Sequence, residues 1–264
     1  MLSTQQIRSF ERNGFLGPFT LAPHSTELLE PGRLAGIGRR LRELDASITR
    51  NAHVHSQMLF RLISCRSIMD RLRSLLGNDI LSWTSHIVVR QPGSRGQGWH
   101  SDSINQFIRG IHVTVALTDM TEDNGCLQII PGSHLYRSSL SSAVEVGDLN
   151  YDDPDSAVYW ADVTAPWGRP HQRQSITVTS GQFFFTWGGL WHFVGPNKSA
   201  QSRVAVVARY ARPDVACRDY GFSDAKIVPG DLLPCVMVSG VDRHGLNDLR
   251  TAPAGEVLFE RAAV

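Results

Sequence analysis

The chain has 264 residues, 42% hydrophobic and 19% charged, which suits a globular protein with a sizeable core. Its net charge of +1 excludes a global field that would draw in nucleic acid or an anionic membrane. No apolar run reaches the ~18 residues of a transmembrane helix, no basic-then-apolar leader opens the chain, and Cys65, Cys126, Cys217 and Cys235 form no CxxC pair. A cytoplasmic protein without a disulfide framework or zinc knot is the expectation.

The first third reads as helical. Ser3 and Gln6 fit a capping box, and Gly14 fits the stop of a short helix. Leu34, Ile37, Leu41, Leu44 and Ile48 recur at spacings of three and four, which predicts an amphipathic helix. Another helix is predicted over 67–76, ended by Gly77. The periodicity then changes. Residues 80–89 are β-rich and stop at Pro92-Gly93. Ile111, Val113, Val115 and Leu117 alternate with His112, Thr114, Ala116 and Thr118, the pattern of a strand. Asn124-Gly125 predicts a hairpin turn and Pro131-Gly132 a further turn. Residues 182–187 and 203–210 read as strands. Short strands punctuated by turns predict a sandwich or barrel, with the helices buttressing one side. Residues 140–175 are polar, aromatic and irregular, as in a lid or binding loop. The stretch from Asp214 reads as loop-rich.

The chemistry centres on Trp99-His100-Ser101-Asp102. On a strand, His100 and Asp102 would face the same side and present an imidazole and a carboxylate together. A second histidine from a distant strand would complete three ligands on one face of an octahedral metal and leave three positions open, as in non-haem Fe(II) oxygenases. An isolated HxD is weak by itself. His192 follows an apolar strand and precedes the turn Gly195-Pro196-Asn197, so it could sit at a barrel mouth, or equally be a hydrogen-bonded structural histidine. His86, His112 and His134 are read as structural, and His24, His53, His55, His171 and His244 as surface or loop residues. Arg203 and Arg209 share one face of a strand. An arginine directed into a β core is costly unless paired, and a guanidinium can hold a carboxylate by two parallel hydrogen bonds.

These residues resemble the phytanoyl-CoA dioxygenase family of Fe(II)/2-oxoglutarate oxygenases. The resemblance rests on residues 10–15, residues 99–102, Leu117-Thr118-Asp119, residues 124–127, Ile130-Pro131-Gly132-Ser133-His134, His192, residues 195–197 and Arg203, and spans about residues 5–212. It implies a mainly β protein with flanking helices, built on a double-stranded β-helix (a jelly-roll, cupin-like barrel). The expected single domain has a helical buttress over about 1–78, a core over about 79–212 with a lid loop over about 140–175, and a C-terminal extension over 213–264. The resemblance implies Fe(II), 2-oxoglutarate and O2 as cofactor and co-substrates, and His100, Asp102 and His192 as iron ligands. Arg203 would anchor the far carboxylate of 2-oxoglutarate, with Thr114 placed beside it. The Pro-Gly-Ser-His turn is a family mark with a structural role.

Residues 14–19 look like the syringomycin-type halogenases. In those the HxD carboxylate is replaced by a small residue and chloride takes its place, whereas Asp102 is present here. The expected activity is therefore hydroxylation of an unactivated C–H in a small amino-acid-like metabolite, free or tethered to a carrier protein, within secondary metabolism. Gln106, Trp160, Trp167 and Arg169 are candidates for substrate contact. Arg209 would stand beside the open metal site or bind a substrate carboxylate. Desaturation, cyclisation or epimerisation with the same cofactors, a zinc hydrolase, and a non-catalytic jelly-roll binding module are the alternatives.

Overall fold

The structure is a computed structural model that describes residues 1–22, 51–102, 108, 110–136, 153, 155, 172–223 and 226–255, with the side chains of 220–229 excepted. In chain order the elements are α1 (Thr4–Asn13), β1 (Phe15–Thr20), α2 (Gln57–Ile63), α3 (Arg66–Leu76), β2 (Ile80–Arg90), β3 (Gln97–His100), β4 (Ile111–Ala116), β5 (Leu127–Ile129), β6 (Gln174–Ile176), β7 (Gln182–Trp187), β8 (His192–Val194), β9 (Arg203–Ala211), β10 (Arg218–Ser223), β11 (Lys226–Leu232), β12 (Pro234–Ser239) and β13 (Asp248–Leu249). The helix predicted over residues 34–48 lies outside the described residues.

The local signals in the first helices act as expected. The Ser3 hydroxyl accepts from the Gln6 amide, and the Gln6 side chain accepts from the Ser3 amide. Gly14 ends α1 in the left-handed region at φ 72°. A side chain there would also strike the His134 ring. Helix α3 stops at Gly77, one residue after Leu76.

Two sheets form the core. The larger runs β1-β7-β4-β9-β2-β12-β13 and the smaller β3-β8-β5-β6, while β10 and β11 make a separate hairpin. The double-stranded β-helix implied by the resemblance is the fold observed. The period-2 alternation of strands assigns each face of the larger sheet. Val113, Val115, Phe183, Phe185, Val204, Val206 and Ala208 pack with Phe10 and with Leu59, Leu62, Ile68 and Leu72 of the helices. Burial of each such large side chain contributes roughly 1.5–3 kcal/mol. The residues between them, Thr114, Phe184, Thr186, Ala205 and Val207, turn to the other face and line a cavity with residues of the smaller sheet.

Three expectations change. Asn124-Gly125 is a turn, with Gly125 at φ 79°, but it joins no hairpin: β4 belongs to the larger sheet and β5 to the smaller. The long irregular stretch ends earlier than residue 175, because residues 174–176 form β6 and pair with β5. The loop-rich reading after Asp214 is also corrected. Four strands follow it, and β12 extends the larger sheet by pairing with β2. The four cysteines are free thiols.

Candidate metal centre and co-substrate cavity

His100 closes β3 and His192 opens β8, and the antiparallel register sets them directly opposite each other. Their ring centroids are 4.0 Å apart. Each ring is held in the same way. His100 Nδ1 lies 2.8 Å from the Gly98 carbonyl and His192 Nδ1 lies 2.8 Å from the Leu190 carbonyl. A carbonyl only accepts, so both Nδ1 atoms carry the proton and both Nε2 lone pairs are free. Burial and the neighbouring His192 push His100 down to about 4, and burial lowers His192 as well. Both rings are therefore neutral near pH 7, the form that binds a metal.

Asp102 completes the group: one ligand atom each from His100, Asp102 and His192 lie within 4.8 Å of one another. Strand geometry does not place it there, since β3 ends at His100. Its carboxylate instead crosses to the larger sheet, where Oδ2 meets His112 Nδ1 at 3.1 Å and an Arg209 terminal nitrogen at 3.1 Å. Burial alone would raise this carboxyl. The His112 hydrogen bond and the Arg209 charge outweigh it and hold Asp102 well below the usual carboxylate range. Two imidazoles and an ionised carboxylate on one side of a cavity match the donor set of an open-sided, non-haem iron site.

The cavity, of about 480 Å³, runs along the inner face of the larger sheet. Register orders its lining in rows. Arg209, His112 and Thr186 form one; Val207, Thr114, His86 and Phe184 the next; then Ala205 with Val88; and last Arg203 beside Arg90. Arg203 is 4% exposed and its Nε has no hydrogen-bond partner. Burial and the adjacent Arg90 charge lower it to about 10, still cationic at neutral pH. Arg90 Nε is likewise buried without a partner. Among the described residues no carboxylate pairs with either guanidinium. Two like charges held together at a cavity wall with no carboxylate among the described residues to offset them fit an anionic ligand.

The family motifs hold this arrangement in place. Ser133 Oγ accepts from the Trp191 amide at 2.8 Å, next to His192. The same turn is tied to α1 by Gly132 donating to Asn13 O and by His134 Nε2 to Glu11 O. The Asn197 side chain, 1% exposed, donates to the Arg90 and Gln201 carbonyls and so joins the strand end that carries Arg90 to the turn before β9.

His100, Asp102 and His192 thus converge, and Thr114, Arg203 and Arg209 line the same cavity. Gln106, Trp160, Trp167 and Arg169 lie outside the described residues. Two residues read as structural, His86 and His112, face the cavity, and Arg90 joins Arg203 there. The alternation that turns Thr114 inward also turns His112 inward, and this was the available signal. His53 is no surface residue: it is fully buried, with Nδ1 3.3 Å from Ser85 Oγ.

A jelly-roll barrel with two histidines and a carboxylate on the wall of an open cavity defines a class, the cupin-like metal oxygenases. The chain belongs to the phytanoyl-CoA dioxygenase (PhyH) family, whose model matches residues 10–205. It is similar to the ectoine dioxygenase of Bordetella bronchiseptica, 31% identical over 154 residues that cover 50% of each chain. It is also similar to the probable alpha-ketoglutarate-dependent hypophosphite dioxygenase of Stutzerimonas stutzeri, 25% identical over 68% of this chain and 63% of that one. The chain spans about half the length of the ectoine dioxygenases it matches. In fold it resembles CytC3 solved with Fe(II) and alpha-ketoglutarate, at TM-score 0.65 and 24% identity, covering 97% of this chain and 96% of that one. No helix among the described residues is long and apolar enough to cross a membrane.

Proposed function

We propose that this chain is an Fe(II)/2-oxoglutarate-dependent dioxygenase that hydroxylates an unactivated C–H of a small, amino-acid-like metabolite, free or tethered to a carrier protein. One observation carries the reading: a His-Asp-His donor set and an unpaired, buried guanidinium share one cavity. Nε2 of His100, Nε2 of His192 and a carboxylate oxygen of Asp102 would hold Fe(II). Arg203 would take the distal carboxylate of 2-oxoglutarate, with Arg90 adding positive charge and Thr114 a hydroxyl along the way. When bound, Fe(II) with 2-oxoglutarate and O2 supplies the oxidising power that breaks the C–H bond, and 2-oxoglutarate leaves as succinate and carbon dioxide.

The chain's own residues do the rest. The Gly98 and Leu190 carbonyls keep both imidazoles in the ligating tautomer. Val88, Phe184, Ala205 and Val207 give the cavity apolar walls between the metal ligands and the Arg203 end. Selectivity comes from how closely a C–H is held to the metal, so the residues near Asp102, Arg209 among them, set it. A cavity of this size accommodates the co-substrate and a small metabolite.

Anaerobic addition of Fe(II) and 2-oxoglutarate tests the reading. A weak visible charge-transfer band is expected, and then succinate release when air and a substrate from an amino-acid-like panel, free and carrier-loaded, are supplied. The Asp102→Ala variant should form no succinate. Absence of the band with wild type would favour a binding module over an oxygenase.

A further inference from the structure

Asp102 Oδ2 takes a hydrogen bond from His112 Nδ1 and forms an ion pair with a terminal nitrogen of Arg209, each at 3.1 Å. Each oxygen of a carboxylate offers about two lone-pair directions. One hydrogen bond and one ion pair therefore engage Oδ2 and leave Oδ1, among the described residues, as the oxygen to meet a cation. We infer that His112 is a positioning residue: with Arg209 it occupies Oδ2 and so makes Asp102 a one-oxygen ligand. The consequence is a count of open positions. Two imidazoles and a one-oxygen carboxylate would leave one more position open on a bound cation than two imidazoles and a two-oxygen carboxylate.

The surroundings show that the His112 ring is held for this contact. It sits on β4 opposite Arg209 on β9 and Thr186 on β7. It is 5% exposed and edge-on to Trp83, with centroids 6.4 Å apart. Trp83 also lies under the Arg209 guanidinium at 5.4 Å, so one indole backs both groups that engage Asp102. On the other side the ring lies against the backbone of Gly188, where an added Cβ would come within 3.1 Å of His112 Nε2. A side chain at residue 188 would require the His112 ring to shift by a few tenths of an ångström. Arg209 supplies charge to Asp102; His112 supplies a hydrogen-bond donor from a ring packed against Trp83 and Gly188.

The inference rests on the oxygenase reading only in taking Asp102 as a metal ligand, and Co(II) binding tests it without turnover. An asparagine amide reaches the place of Nδ1, a glutamine amide that of Nε2. His112→Asn should bind Co(II) within about threefold of wild type. His112→Gln and His112→Leu should bind it roughly 10–100-fold more weakly, with an altered Co(II) visible spectrum, as expected when a ligand loses its outer partner. Thermal unfolding of the metal-free variants shows which are folded. If His112→Leu does not fold, the Asn–Gln comparison decides. Equal Co(II) affinity and identical spectra for the Asn and Gln variants would overturn the inference. A wild type that binds Co(II) with the expected variant order but forms no succinate would overturn the oxygenase reading and leave the clamp standing.

Discussion

Arg203 and Arg90 sit side by side at one end of the cavity, and they are not equivalent. Arg203 is nearly fully buried with an unpartnered Nε, while Arg90 already donates to the Arg95 carbonyl and to Gln97. Arg203→Ala should raise the 2-oxoglutarate half-saturation concentration by about 10–100-fold, the loss of a charge-assisted pair of hydrogen bonds worth ~1.5–3 kcal/mol. Arg90→Ala should raise it less. An unchanged value for Arg203→Ala in succinate assays would place the anchor elsewhere. His53 makes a different prediction, about stability. Burial pushes it down to about 4 from the ordinary 6.5. Between those values the unfolded chain binds a proton that the folded chain does not, so stability is full above pH 6.5 and is lost as pH falls toward 4. Its contribution to the loss between about pH 7 and 5 is roughly 2 kcal/mol. Chemical denaturation of metal-free wild type should show that loss, and His53→Asn should flatten it.

At the scale of elements, three consecutive phenylalanines on β7 divide their work. Phe183 and Phe185 face the helices and Phe184 faces the cavity. Phe183→Ala should cost about 3–5 kcal/mol in urea unfolding, yet leave 2-oxoglutarate half-saturation unchanged in the folded fraction. A large shift in half-saturation would mean that the two faces are not independent. The strand β4 was legible from period-2 patterning, and β2, β7 and β9 as β-rich runs, but three consecutive phenylalanines do not alternate, so the sheet's two faces decided which of them meets the cavity. The helix boundaries were legible too, since Ser3, Gly14 and Gly77 act within one turn of themselves. Asp102 was not legible as a residue beyond its strand. The HxD spacing suggested a shared pleat, but β3 ends at His100 and an ion pair across the barrel places the carboxylate. The inward-facing His112 was visible in the alternation, but its partner Asp102 was not.

At the scale of the whole molecule, the C-terminal strands close the larger sheet. β12 covers β2, and Cys235 packs with Trp83, Leu81 and Cys217. Ending the chain after Pro213 would expose the β2 edge and the flank of Trp83, the residue that backs Arg209 and His112. The shortened protein should be aggregation-prone and should lose its cooperative thermal transition. A soluble, cooperatively folded product with full Co(II) affinity would show that these strands are dispensable.

The sequence by itself determined the class: the alternation that predicts a β barrel, the caps of the helices, and the residues His100, Asp102, His192 and Arg203 in the order that resembles the PhyH family. All of these are local patterns or their order along the chain. Only the tertiary structure decided that His100 opposes His192, that Arg90 doubles Arg203, and that His112 with Arg209 holds Asp102. Those pairings join residues 10 to 113 positions apart, and which inward-facing side chains meet depends on strand register and on how the two sheets face each other.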